Sequence, residues 1–155
     1  MMKARELMVK NVVTLEEDVS VLDATRMMNE NGIGCLVAIE NCEVAGILTE
    51  RDLLKRVLEA CKDPKKTMVS EIMTKQVVVG DPDMQLVEVS RLMFKNKVKK
   101  LPIVENRQLI GLITLTDIAR ATHVDETTMH LVEALSNMHA VGQSKWEISR
   151  KQNVH

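Results

Sequence analysis

Displaced by 65 residues, the chain aligns on itself without a gap from about Glu6 onward, a constraint that few folds can meet. "ELMVKNVV" at residues 6–13 meets "EIMTKQVV" at 71–78. "LVAIENCEVAGILTERD" at 36–52 meets "LPIVENRQLIGLITLTD" at 101–117. Matches fall at polar and turn positions, among them Asp18/Asp83, Asn41/Asn106, Gly46/Gly111, Thr49/Thr114 and Asp52/Asp117. Those say more than matched valines, which any two strands share. A period of 65 is too long for a solenoid unit, so two copies of a small domain is the reading that remains.

Each copy carries the same order of patterns. A β-branched run, Val12–Thr14 or Val77–Val79, predicts a first strand, followed by acidic turn residues. Val21, Leu22, Ala24, Met27 and Met28 have near-helical spacing, with Ser20 as N-cap and Gly32 as the C-terminal stop. "CLVAI" and "EVAGIL" predict two strands turning at Glu40-Asn41, and "LPIV" and "LIGLI" repeat them around Glu105-Asn106. Second helices are predicted over about 51–60 and 116–121. The class is α+β, each copy reading β-α-β-β-α. A copy of about 60 residues buries too little to stand alone, so the two should pack sheet against sheet. The expected bounds are 6–62 and 71–122, with 63–70 as a polar linker around Pro64. Residues 123–155 lie outside the repeat, and Met129, Leu131, Val132, Leu135 and Met138 predict one amphipathic C-terminal helix there.

Composition removes several functions. A net charge of −1 leaves no electrostatic footprint for nucleic acid, and Phe94 and Trp146 are too few aromatics for a base-stacking platform. No apolar run reaches the ~20 residues of a membrane span, and "MMKARELMVK" lacks the apolar stretch of a signal peptide, so a cytoplasmic protein is expected. Cys35, Cys42 and Cys61 fall into no metal-ligand spacing, which fits small residues in a reducing compartment. His123, His130, His139 and His155 all lie in the tail, without enough neighbouring ligands for a metal site. No nucleophile set, Walker loop or dinucleotide fingerprint is present, so no catalytic residue is assigned.

The recurring Gly-x-x-Thr-x-x-Asp is the motif that carries chemistry. Thr followed three residues later by an acid at a helix start is the pattern of a capping box. The same groups suit a nucleotide: a Thr hydroxyl can donate to phosphate, and an ionised Asp can accept both hydroxyls of a ribose. Gly three residues ahead of the Thr permits close backbone approach or tight packing. Read from the residues alone, capping and binding both stand, and they are partly compatible.

The duplicated β-α-β-β-α order, the "KKLPIVEN" at 99–106 and the Gly-x-x-Thr-x-x-Asp closing each copy resemble a tandem pair of cystathionine-β-synthase (CBS) domains, often called a Bateman module. The resemblance covers about 6–121 and implies a stand-alone pair with a pseudo-two-fold axis. It also implies clefts for AMP, ADP, ATP, S-adenosylmethionine or related thio-nucleosides, with Asp on the ribose and Thr near the phosphate. Family clefts are composite. Carried onto this chain, cleft A would join Thr49, Arg51 and Asp52 to Val77, Val78, Val79, Lys99, Lys100, Leu101 and Pro102. Cleft B would join Thr114 and Asp117 to Val12, Val13, Thr14, Gly34, Cys35 and Leu36. Lys99 and Lys100 favour a charged nucleotide in cleft A, and a solvated turn is their plain alternative. Cleft B has Cys35 where copy two has Lys100, so cleft A is ranked first. An adenosyl-ligand sensor acting on a partner protein is the expected function, with a homodimer as the expected state. A constitutive interaction protein with unoccupied clefts is the alternative.

Overall fold

Ser20 opens the first long helix as the sequence predicts. Its hydroxyl accepts the Asp23 N–H at 3.1 Å, and α2 (Val21–Asn31) runs to Gly32, whose φ of 61° is the left-handed stop. The computed structural model describes residues 1–16 and 18–122 of the 155. The tail predicted to be helical, with its four histidines, lies outside the described residues. Two compact units are present, meeting in sequence at Thr114/Leu115. Both sheets lie in the first. The second opens with α6 (Leu115–Ala121), where Asp117 stands in the first turn.

In the first copy, β1 (Thr14–Glu16) pairs in parallel with β2 (Cys35–Glu40), which pairs antiparallel with β3 (Glu43–Thr49). In the second, α5 (Leu86–Asn96) precedes the hairpin of β4 (Lys100–Glu105) and β5 (Gln108–Thr114). Each hairpin turns one residue later than predicted, at Asn41-Cys42 and Asn106-Arg107. All four residues have φ between 50° and 67°, the left-handed pair of a type I′ turn. The strand predicted over Val12–Thr14 begins at Thr14. The one predicted over Val77–Val79 does not form, and the run joins the sheet through Gly80 alone, beside Ile103. Asp81-Pro82-Asp83 accounts for this: Asp81 Oδ1 accepts the Asp83 N–H at 2.8 Å, turning the chain, and Pro82 has no N–H for a ladder.

Two short helices tie the copies together. In α1 (Ala4–Leu7) and α4 (Val69–Ile72), Glu6 and Glu71 reach back to accept the N–H of Lys3 and Met68, each at 2.6 Å. Each helix packs on the other copy. Ala4 and Arg5 donate to the carbonyls of Met84 and Pro82, and Val9 pairs with Leu112. Reciprocally, Val69 donates to the Val19 carbonyl, Thr74 pairs with Ile47, and Val69, Ile72 and Met73 complete a core with Val21, Ala24, Met28, Leu36 and Leu48. The segment predicted as a linker is bonded too: the carbonyls of Pro64 and Thr67 accept the N–H groups of Leu22 and Val21 at 2.9 and 2.8 Å. Strands β3 and β5 touch across the copies.

Candidate functional site

Thr49 ends β3 and caps α3 (Glu50–Leu53). The Asp52 N–H donates to the Thr49 hydroxyl at 3.4 Å, while Asp52 Oδ2 accepts the Thr49 N–H at 2.9 Å and the Thr49 hydroxyl at 3.1 Å. The capping box read from sequence is therefore complete. Asp52 is only 9% exposed, a burial that a carboxylate tolerates when partners satisfy it. Its other oxygen faces Arg56 Nε at 3.8 Å, an ion-pair distance too long for a hydrogen bond. Arg56 in turn donates to the Ile72 carbonyl at 2.8 Å, tying this helix to α4. Arg56 escaped the sequence reading, although an acid and a base four apart on a helix is a recognisable signal. Beyond Leu53 the helix widens into a π turn over Leu54–Leu58, with Glu59 N–H bonded to the Leu54 carbonyl at 2.9 Å. Such turns are rare and often adjoin functional sites.

Hairpin register sets the surroundings of Thr49. Cys35 stands opposite Thr49 and Leu36 opposite Leu48, because a hairpin must bring its two ends together. Gly34 accepts the Glu50 N–H at 3.2 Å, and a β-carbon on Gly34 would stand a tight 3.2 Å from the Glu50 carboxylate. In the second hairpin Lys100 stands opposite Thr114, Leu101 opposite Ile113 and Pro102 opposite Leu112. Burial pushes the Cys35 thiol up from its ordinary range, with the Lys100 ammonium acting against that shift and the Glu50 carboxylate with it. Lys100 thus stands within electrostatic reach of Cys35, on the strand beside Thr49. Lys99 and Arg51 are exposed.

Two cavities, of about 280 and 260 Å³, open at the turn ends of the hairpins. They correspond under the same displacement: Lys10 and Lys75, Val12 and Val77, Thr14 and Val79, Cys42 and Arg107 hold matching places. Each takes its remaining wall from the other copy, Gln108 in the first and Glu43 in the second. Val77 and Val79 line the second of these cavities, and Val12 and Thr14 line the first. Val13 packs on the core. Among the described residues no cluster of acids, cysteines and histidines is arranged to hold a metal, and no helix is long and apolar enough to cross a membrane.

The profile of the CBS domain family matches residues 4–59 and 69–124. The CBS domain-containing protein YhcV of Bacillus subtilis is 30% identical over 155 residues, the full length of both chains. An inosine-5′-monophosphate dehydrogenase of Methanocaldococcus jannaschii is 38% identical over 120 residues, 76% of this chain but 23% of that enzyme, so the shared region is one part of a larger protein. Among solved structures, the CBS domain pair of protein MJ0100 in complex with 5′-methylthioadenosine and S-adenosyl-L-methionine superposes with a TM-score of 0.72. It covers 79% of this chain and 97% of that one at 23% identity, a likeness of fold. With a duplicated α+β unit in the geometry and the profile matched twice along the sequence, the chain belongs to the CBS domain family and carries two such domains in tandem.

Proposed function

We propose that this chain is a non-catalytic regulatory module that binds an adenosyl ligand between its repeats and passes the change to a partner protein. The ligand class is AMP, ADP, ATP or an S-adenosylmethionine type. The observation that carries the reading is the buried Asp52 carboxylate, fixed in direction by Thr49, whose second oxygen has among the described residues only a 3.8 Å ion-pair contact with Arg56. A ribose diol donates two hydroxyls, and a pre-aimed carboxylate accepts them without first being ordered. Lys100 adds a positive charge near the strand beside Thr49, with Lys99 next to it in sequence, which favours a phosphate-bearing ligand over a neutral one. The adenosyl ligands held by the MJ0100 domain pair support the same ligand class. Signalling requires that the ligand prefer one of two arrangements of the molecule. A cytoplasmic homodimer is the proposed state. Leu54, Leu58 and Phe94, each more than 60% exposed, supply apolar helix surface for it.

Calorimetric titration with AMP, ATP and S-adenosylmethionine tests the reading, at protein concentrations suited to a Kd of about 100 μM. Saturable heat from at least one is expected, with Asp52→Ala weakening it more than Asp117→Ala. No heat from any of the three overturns the proposal, and equal loss in the two variants overturns the ranking of the sites. One observation favours the second reading, a constitutive interaction protein: the bonds between Thr49 and Asp52 close on each other as a cap. Under that reading Thr49→Ala lowers stability by about 1 kcal/mol and no nucleotide raises the Tm of the parent chain.

A further inference from the structure

The two turn-end cavities are alike in volume and in the repeat positions that line them, and they differ in chemistry. In the smaller one Lys75 and Arg107 come from the second copy and Glu43 from the first, around a wall of Val77, Val79 and Val104. The larger has Lys10, but Cys42 where Arg107 stands and Gln108 where Glu43 stands. Arg107 also sits at a demanding backbone position. It is the second residue of a type I′ turn with φ of 67°, where glycine is the low-cost choice. The guanidinium this strained position carries is 84% exposed, and its Nη1 is 3.7 Å from Glu43 Oε1. That separation is too long for a hydrogen bond, and both groups are exposed, so their hydrogen bonds go to solvent that a ligand can displace.

We infer that this cavity binds a free α-amino acid with a small aliphatic side chain. At about 260 Å³ it lies below the range of pockets that take drug-sized ligands, so the occupant is small. Arg107 and Lys75 match a carboxylate, Glu43 matches an ammonium, and the valines match a branched hydrocarbon body. A phosphate or dicarboxylate meets repulsion from Glu43, and a simple amine meets it from Lys75 and Arg107. Only a zwitterion satisfies both signs. The Cys42 cavity has neither the guanidinium nor the acid and does not bind. Its Glu43 and Arg107 stand at the hairpin turns, at the opposite end from Thr49 and Asp52, so valine binding does not depend on the adenosyl proposal.

The test is a calorimetric titration of the full chain with L-valine. One site per chain is expected, weakened on the order of tenfold or more by Arg107→Ala and by Glu43→Gln. Isovalerate, which lacks the ammonium, and isobutylamine, which lacks the carboxylate, should bind at least that much more weakly. The double substitution Cys42→Arg with Gln108→Glu should install a second site and raise the stoichiometry from one to two. Far-ultraviolet circular dichroism checks that each variant is folded, which the exposure of the altered side chains favours. Absence of saturation up to about 10 mM L-valine overturns the proposal, as does isovalerate binding equal to that of valine. Unchanged affinity in Arg107→Ala overturns it equally.

Discussion

A β-carbon built on Gly46 would overlap the Met73 sulfur, and one on Gly111 would overlap the Met8 sulfur. The glycine that opens each Gly-x-x-Thr-x-x-Asp is therefore there for a methionine from the other copy, and the two methionines are themselves repeat equivalents. Met73 is 5% exposed, with little room to retreat. Gly46→Ala is accordingly expected to lower stability by about 1–3 kcal/mol in urea denaturation, the usual cost of overpacking. In a Met73→Ala background the same substitution should cost much less; an unchanged cost would show that the strain lies elsewhere. Sequence reading left two roles open for this glycine, close backbone approach or tight packing. It was not able to choose, because the partner is 27 residues away and on a different copy. Thr49 and Asp52 were legible because a cap is a local matter, decided within four residues.

The hairpins were legible as elements and less so in register. Alternating β-branched residues announce the strands, but the turn fell one residue later than predicted because Cys42 and Arg107 are poor advertisements for a left-handed position. That single residue matters. It decides that Cys35 faces Thr49 and that Cys42 and Arg107 reach the cavities, which no local pattern foretold. It also sets a prediction: Arg107→Gly removes the left-handed cost and should raise stability by up to about 1 kcal/mol in chemical denaturation. The same change should abolish the response to valine. A loss of stability would show that Arg107 is held by contacts worth more than its backbone strain. The missing strand at Val77–Val79 is legible in hindsight from Asp81-Pro82-Asp83, a turn signal placed where the first copy has Glu16, Glu17 and Asp18.

The first unit as a whole carries an electrostatic asymmetry that the repeat conceals. Lys3 and Arg5 bind Asp83 at 3.1 and 3.3 Å, and Arg5 also binds Glu105 at 3.1 Å, pinning α1 to the second copy. Their counterparts on α4's side are Met68 and Ser70, which carry no charge. Hydrogen bonds from Lys3 and then Arg5 hold the Asp83 carboxyl below its ordinary value of 3.8. A folded-state pKa below the unfolded one contributes stability above about 3.8, and that contribution is lost as pH falls through the folded value. Asp83→Asn should therefore be less stable than the parent at neutral pH, with the gap closing in acid. A gap that stays constant from neutral to acidic pH would show that the ion pairs do not matter to stability. Salt should narrow the neutral-pH gap as well, since these groups are exposed.

The exchange of α1 and α4 between copies has a consequence for how the chain can be divided. Severed between Ala60 and Lys62, the first half would keep an arm shaped for the second half's hydrophobic face and surrender the one that closes its own. The second half would be left in the same position. Neither fragment is a smaller version of the protein, yet each is the natural lid for the other, so the affinity that reunites them is written into the connectivity itself.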